Sequence, residues 1–129
     1  MSRDPLAAAV RRLVVRVSHW TPARWSASSG VPGRSRAEIF HALVQRLADL
    51  AADAEAQPRR PVPRLDNDLA LPDQLRVVAA DLLAADPTPA ALAAATAAVT
   101  EFAQALDSPS RPGQPLDAPF PSAPPADPA

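Results

Sequence analysis

The sequence predicts an all-α protein, a small bundle of four helices with one long connection and a C-terminal tail. Three observations carry this prediction. Apolar residues recur at helical spacing in four stretches, at about residues 4–20, 35–56, 72–85 and 89–106. These stretches are bounded by helix-capping residues and prolines. Residues 108–129 are rich in proline and poor in large apolar side chains.

The first predicted helix starts at Asp4-Pro5, an N-cap residue followed by proline at the first helical position. The apolar residues that fall on one face of this helix are Leu6, Val10, Leu13, Val14, Val17 and Trp20. The β-branched run at residues 13–17 is also typical of a strand. The cap and the spacing favour a helix over that alternative.

Residues 21–34 form a connector rich in Ser, Gly and Pro. It is long for a link between two helices, so we expect it to be either mobile or functional. The connector contains Trp25, which we expect to be exposed. An exposed Trp in a long connector makes this region a candidate binding surface.

The second predicted helix starts at Ser35, which forms a capping-box pattern with Glu38. Eight apolar residues then fill one wide arc of the helix surface: Ile39, Phe40, Leu43, Val44, Leu47, Leu50, Ala51 and Ala54. An arc of this width predicts that the helix is the buried hub of the bundle. The same arc would also suit the twofold axis of a homodimer.

Residues 58–71 form what we call the crossing segment. Pro58, Pro61 and Pro63 deny it a helix and favour an extended path over the bundle surface. The residues expected to anchor it are Val62, Leu65, Leu69 and Leu71. Its arginines, which we expect to pair with the acids Asp66, Asp68 and Asp73, are Arg59, Arg60 and Arg64. Alternatively, this compact basic motif docks into a groove of a partner.

The third and fourth predicted helices are separated by a short link that ends in Thr88-Pro89, another N-cap followed by proline. So short a link favours an antiparallel helical hairpin. The tail that follows contains only Leu116 and Phe120 as large apolar side chains, so we expect it to be disordered. The predicted division is a helical domain at 1–107 and a tail at 108–129.

The charge is distributed unevenly along the chain, although the net charge is only −1. All thirteen basic residues are Arg, which together with the many Ala and Pro residues is typical of a bacterium with a GC-rich genome. Residues 1–64 hold eleven Arg against five acids, and residues 65–129 hold two Arg against nine acids. The basic front half either packs against the acidic half or presents a patch to an acidic partner.

The residue types that carry catalysis or bind metals and cofactors are sparse. The chain has no Cys, no glycine-rich phosphate loop and no nucleophile-elbow motif. Glu38 and His41 have the spacing of a metal-binding pair, but the motif occurs once and faces away from the apolar arc. Residues 66–68 resemble the start of a calcium loop, yet Leu71 and Val77 replace its required Gly and Glu. We therefore expect a non-enzyme without cofactor or metal.

The leading functional hypothesis is a small helical adaptor or regulator that binds another protein. Arg and Trp are both enriched at the centres of protein interfaces. The predicted contact residues are Trp20, Arg24, Trp25 and Arg34, followed by Arg59, Arg60 and Arg64. The alternative is association with nucleic acid through the Arg- and Trp-rich front third. A third interpretation places Trp20 in the core and Trp25 as a lid on the end of the bundle.

The sequence also bears on location. No stretch has the length of a membrane span, and the N-terminal residues lack the order of charge, apolar core and cleavage site of a signal peptide. We expect a cytoplasmic protein that does not associate with membranes.

Overall fold

The protein is all-α, as predicted. A computed structural model describes residues 4–107. Within them the chain forms five α-helices and one short 3₁₀ helix, and no strand. They are α1 (Asp4–Val17), α2 (Pro22–Ser26), α3 (Arg36–Ala54), the 3₁₀ helix (Asp68–Ala70), α4 (Leu71–Ala84) and α5 (Pro89–Asp107). The expected disorder of residues 108–129 lies outside the described residues.

The four long helices correspond to the four predicted ones, whereas α2 was not predicted. Helix α1 ends at Val17 rather than at Trp20, whose backbone N–H donates to the Val17 carbonyl at 3.0 Å. Helix α2 is capped by Thr21, whose hydroxyl accepts from the Arg24 backbone N–H at 3.2 Å. Its five residues are too few to show a helical period, so the sequence predicts only a connector in this region.

The predicted capping boundaries of α3 and α5 are confirmed. The Ser35 backbone N–H donates to a Glu38 carboxylate oxygen at 2.8 Å, and the Glu38 N–H donates to the Ser35 hydroxyl at 3.1 Å. At the start of α5, the Thr88 hydroxyl accepts from the Ala91 N–H at 3.1 Å. These side chains satisfy backbone donors that the first turn of a helix leaves unpaired.

Helix α3 packs against both α4 and α5, and α1 packs against the same two helices. Helix α1 therefore lies diagonally opposite α3, and α4 lies diagonally opposite α5. The link between α4 and α5 reverses the chain direction, but the two helices are not packed as a neighbouring pair among the described residues. The expected hairpin is wrong in this respect, since α1 and α3 separate its two members.

The crossing segment returns along α3, so that α4 starts beside the start of α3 and runs parallel to it. Three side chains fix this path through the backbone of the segment. Gln45 accepts from the Val62 N–H at 2.7 Å and donates to the Arg60 carbonyl at 3.0 Å. The His41 Nε2 atom lies 2.9 Å from the Val62 carbonyl oxygen, and Gln74 donates to the Pro63 carbonyl at 3.0 Å.

Two of the expected anchors of the crossing segment do not serve as anchors. Leu71 is buried and Val62 is half-buried against the core, as expected. Leu65 and Leu69, in contrast, remain 45% and 46% exposed. Side-chain hydrogen bonds to the backbone hold the segment in place of those two apolar contacts.

The apolar arc of α3 forms the centre of the core. The arc residues that are fully buried are Phe40, Leu43, Val44, Leu47 and Ala51. No charged or polar residue is buried within the described part of the chain. Because α4 and α5 cover this arc, it is not available for the homodimer that the sequence also allowed. None of the described helices is long and apolar enough to cross a membrane.

Candidate functional site

Four aromatic side chains form a row that begins near the connector and ends on α5. The ring centroids of Trp20 and Trp25 lie 4.7 Å apart, those of Trp25 and Phe40 5.1 Å, and those of Phe40 and Phe102 5.2 Å. All three contacts are edge-to-face, the arrangement that the charge distribution of aromatic rings favours. The row ties α2 to α3 and α5, and so fixes this end of the bundle.

Trp25 is a core residue, and the expectation that it is exposed is wrong. Its exposed fraction is 0%. Helix α2 turns the side chain inward between Trp20 and Phe40. The indole N–H has no hydrogen-bond partner within residues 4–107, so apolar and aromatic packing in the core holds the side chain. Trp25 can therefore support a surface but cannot itself contact a partner.

Trp20 is also largely buried, with 8% of its surface exposed, and two arginines lie over its ring. The guanidinium carbon of Arg24 is 5.0 Å from the ring centroid, and that of Arg36 is 5.6 Å from it. Both distances are within the range of a cation–π interaction. A molecule that approaches this end of the bundle would meet the arginines rather than the indole.

Arg34 lies two residues before Arg36 in the chain, at the same end of the bundle, and it is exposed. The connector folds back there, because the Arg36 N–H donates to the Ala27 carbonyl at 2.9 Å and the Ser29 N–H donates to the Arg34 carbonyl at 3.1 Å. We call Arg24, Arg34 and Arg36 the basic face. None of the three guanidinium groups forms an ion pair with a carboxylate of residues 4–107.

The arginines of the crossing segment are arranged differently, since two of them are paired within the chain. Arg64 pairs with Asp68 at 2.9 Å, as expected. Arg59 pairs with Asp53 of α3, not with the expected acids, through hydrogen bonds of 3.0 and 2.7 Å. The Arg59 hydrogen bonds lower the pKa of the Asp53 carboxyl. The charges of Arg59 and Arg64 are thus balanced by carboxylates of the same chain, which makes these two residues less available to a partner.

Arg60 is exposed and forms no ion pair among the described residues. It lies at the rim of an open groove of about 360 Å³ between α3, α4 and the crossing segment. The floor of this groove consists mainly of small apolar side chains such as Ala51, Val62 and Val78. Polar and charged side chains, including that of Asp81, also line the groove.

The side chains with metal-binding spacing have structural partners. Glu38 completes the capping box of α3, and His41 contacts the Val62 carbonyl. In the turn that resembles a calcium loop, the Asn67 side chain accepts from the Leu69 N–H, and Asp68 pairs with Arg64. Within residues 4–107, no three His, Asp or Glu side chains are grouped so that they could hold a metal ion.

Arg36 is the member of the basic face that the sequence did not single out. It lies at the first position of α3, and its partner Trp20 is sixteen residues earlier in the chain. No local pattern signals a contact of that kind. The fold creates it when the connector returns to the end of α1.

Comparisons with protein-family models, with curated proteins and with solved structures found no match for this chain.

Proposed function

We propose that this protein is a small, non-enzymatic interaction module that binds another protein through its basic face. The observation that carries the proposal is the group of three arginines at one end of the bundle without a carboxylate partner among residues 4–107. Arg24 and Arg34 are exposed, and Arg36 is half-buried against Trp20. A partner that supplies carboxylates would form ion pairs with these arginines.

The position of the basic face at the start of α3 supports this proposal. The N-terminus of a helix carries a partial positive charge, so basic residues there are electrostatically unfavourable. Arg34 and Arg36 flank the capping residue Ser35 and add to that positive potential. Residues that oppose local stability in this way are typical of functional surfaces.

A protein is a better partner than nucleic acid for this surface. Binding of single-stranded nucleic acid depends strongly on bases that stack on exposed aromatic side chains. The aromatic side chains within residues 4–107 are buried or half-buried, and arginines cover Trp20. Arginines also bind phosphate groups, so the experiment below must distinguish a protein partner from nucleic acid.

We propose a cytoplasmic location for the module, with which the absence of cysteine is compatible. Arg60 is the one predicted contact residue of the crossing segment that we retain as a secondary candidate, because its charge is not neutralised by a described carboxylate.

Site-specific photo-cross-linking in cells of the source organism tests the proposal. A cross-linking amino acid at Ala23, which is exposed on α2 beside Arg24, should capture a protein. The same group at Ala93, exposed on α5, is the matched control. Capture at Ala23 should disappear when Arg24, Arg34 and Arg36 are all changed to Gln. Equal capture at both positions, or an adduct that nuclease removes, would contradict the proposal.

A further inference from the structure

A second exposed feature lies close to the basic face. We call residues 65–69 the leucine turn, because it presents Leu65 and Leu69, each nearly half exposed. The turn is well fixed. The Leu69 N–H donates to the Asn67 side chain at 3.0 Å, the Ala70 N–H donates to the Asn67 carbonyl at 3.0 Å, and Arg64 pairs with Asp68. Two large apolar side chains are thus held towards water on an ordered turn.

The leucine turn and the basic face belong to the same end of the bundle. The 3₁₀ helix Asp68–Ala70, which includes Leu69, packs against α2. Helix α2 carries Arg24, which lies over Trp20. An apolar pair therefore lies on an element next to cations that have no carboxylate partner within the described part of the chain. Single exposed apolar residues such as Val77 on α4, in contrast, are ordinary features of protein surfaces.

Resting on the proposed function above, we propose that the segment bound by this module is an acidic peptide that also carries large apolar side chains. Its carboxylates pair with Arg24, Arg34 and Arg36. Its apolar side chains cover Leu65 and Leu69. Charge complementarity favours binding of the acidic residues of the peptide, and removal of apolar surface from water favours binding of its apolar residues.

Asp66 favours the separation of the acidic and apolar residues of the partner. It is exposed in the leucine turn and forms no ion pair within residues 4–107. A carboxylate placed over the leucines would be repelled by Asp66. The acidic and apolar residues of the partner are therefore separated into two blocks rather than alternating along the segment.

Fluorescence anisotropy with labelled synthetic peptides tests this inference on the full chain. The first probe carries a block of Glu and Asp residues joined to a block that contains Leu, and it is made in both orders. In the second probe, Ser replaces the Leu residues. In the third, Gln replaces the acids. A single-stranded oligonucleotide of equal charge is the fourth probe. The first probe should bind at least about tenfold more tightly than any other, with an affinity that falls as salt rises.

Substitutions locate the binding site of the first probe. Leu65→Ser with Leu69→Ser should weaken binding of the first probe about tenfold and leave the second probe unaffected. Val77→Ser removes an apolar side chain of similar exposure on α4 and should change neither affinity. Because the replaced side chains are exposed, circular dichroism should show that these variants keep the helical fold.

The outcomes separate this inference from the proposed function. If the first and second probes bind equally, and both depend on the arginines, the inference is wrong while the basic face remains an acid-binding surface. If only the oligonucleotide binds, both proposals are wrong. If no probe binds, the inference is wrong, and cross-linking at Ala23 decides the proposed function independently.

Discussion

Two arginines lie over the ring of Trp20. The guanidinium carbons of Arg24 and Arg36 are 5.0 and 5.6 Å from its centroid, within the range of a cation–π interaction. Neither guanidinium group has a hydrogen-bond acceptor among residues 4–107. Trp20 is thus a positioning residue, which limits the side-chain freedom that binding would otherwise remove.

Gln45 fixes the crossing segment, and its replacement should destabilise the fold. Gln45→Ala leaves the half-buried Val62 N–H without its acceptor and removes the donor to the Arg60 carbonyl. We expect a loss of about 1–3 kcal/mol in the free energy of unfolding. Urea denaturation measures this loss. Gln57→Ala, at an exposed position just after α3, is the control. Equal unfolding midpoints for the two variants would show that the Gln45 hydrogen bonds contribute nothing to the free energy of unfolding.

The Asp53–Arg59 pair should make stability depend on acidity. Hydrogen bonds from Arg59 lower the pKa of Asp53 in the folded state. The stabilisation by the pair is therefore present above the ordinary pKa of an aspartate, about 3.9, and is lost as the pH falls below that value. A double-mutant cycle with Asp53→Asn and Arg59→Gln should give a coupling energy at neutral pH that vanishes in strong acid. A coupling that persists in acid would contradict this assignment.

At the scale of single elements, α2 shows what periodicity alone misses. Five residues cannot reveal a helical period, yet Thr21-Pro22 carries the same capping signal as Thr88-Pro89. That signal was present in the connector and was outweighed by its Ser, Gly and Pro content. Helix α2 turns Trp25 into the core. Because the sequence does not predict this helix, it predicts an exposed Trp25 instead.

The end of α3 contains a position that favours glycine. Ala56 has a φ of 58°, in the left-handed region where an L side chain is strained. We expect Ala56→Gly to raise the free energy of unfolding by about 0.5–1 kcal/mol, because the released strain exceeds the added freedom of the unfolded chain. Ala42→Gly, at an exposed position in the interior of α3, should lower it by about 1 kcal/mol. Urea denaturation of both variants decides, and destabilisation by Ala56→Gly would contradict the argument.

The four long helices could be predicted because their caps and apolar periods are local in sequence. The contacts of the candidate site could not, because they join distant residues. Gln45 forms hydrogen bonds with residues fifteen and seventeen positions later in the chain. Arg59 pairs with Asp53, which precedes it, and not with the acids that follow it. The sequence predicts arginines in the same region as Trp20, but only the fold shows which of them lack a carboxylate partner within residues 4–107.

At the scale of the whole molecule, the crossing segment determines the arrangement of the helices. By returning along α3, it lets α4 run parallel to α3 while α1 and α5 complete the bundle. The return path brings the acids and arginines of the middle of the chain together as Arg59–Asp53 and Arg64–Asp68. The basic face lies outside these pairs. The charge asymmetry of the sequence is thus only partly cancelled within the fold.

The central claim is that the basic face is the interaction surface. The most direct test is the affinity of the protein captured at Ala23 for two triple variants with the same change in net charge. One variant replaces Arg24, Arg34 and Arg36 with Gln, and the other replaces the exposed Arg11, Arg46 and Arg76, which lie outside the proposed site. We predict that the first variant weakens binding at least about tenfold, measured by isothermal titration calorimetry, and that the second changes it less than about threefold. Equal losses in both variants, or no loss in the first, would contradict the claim.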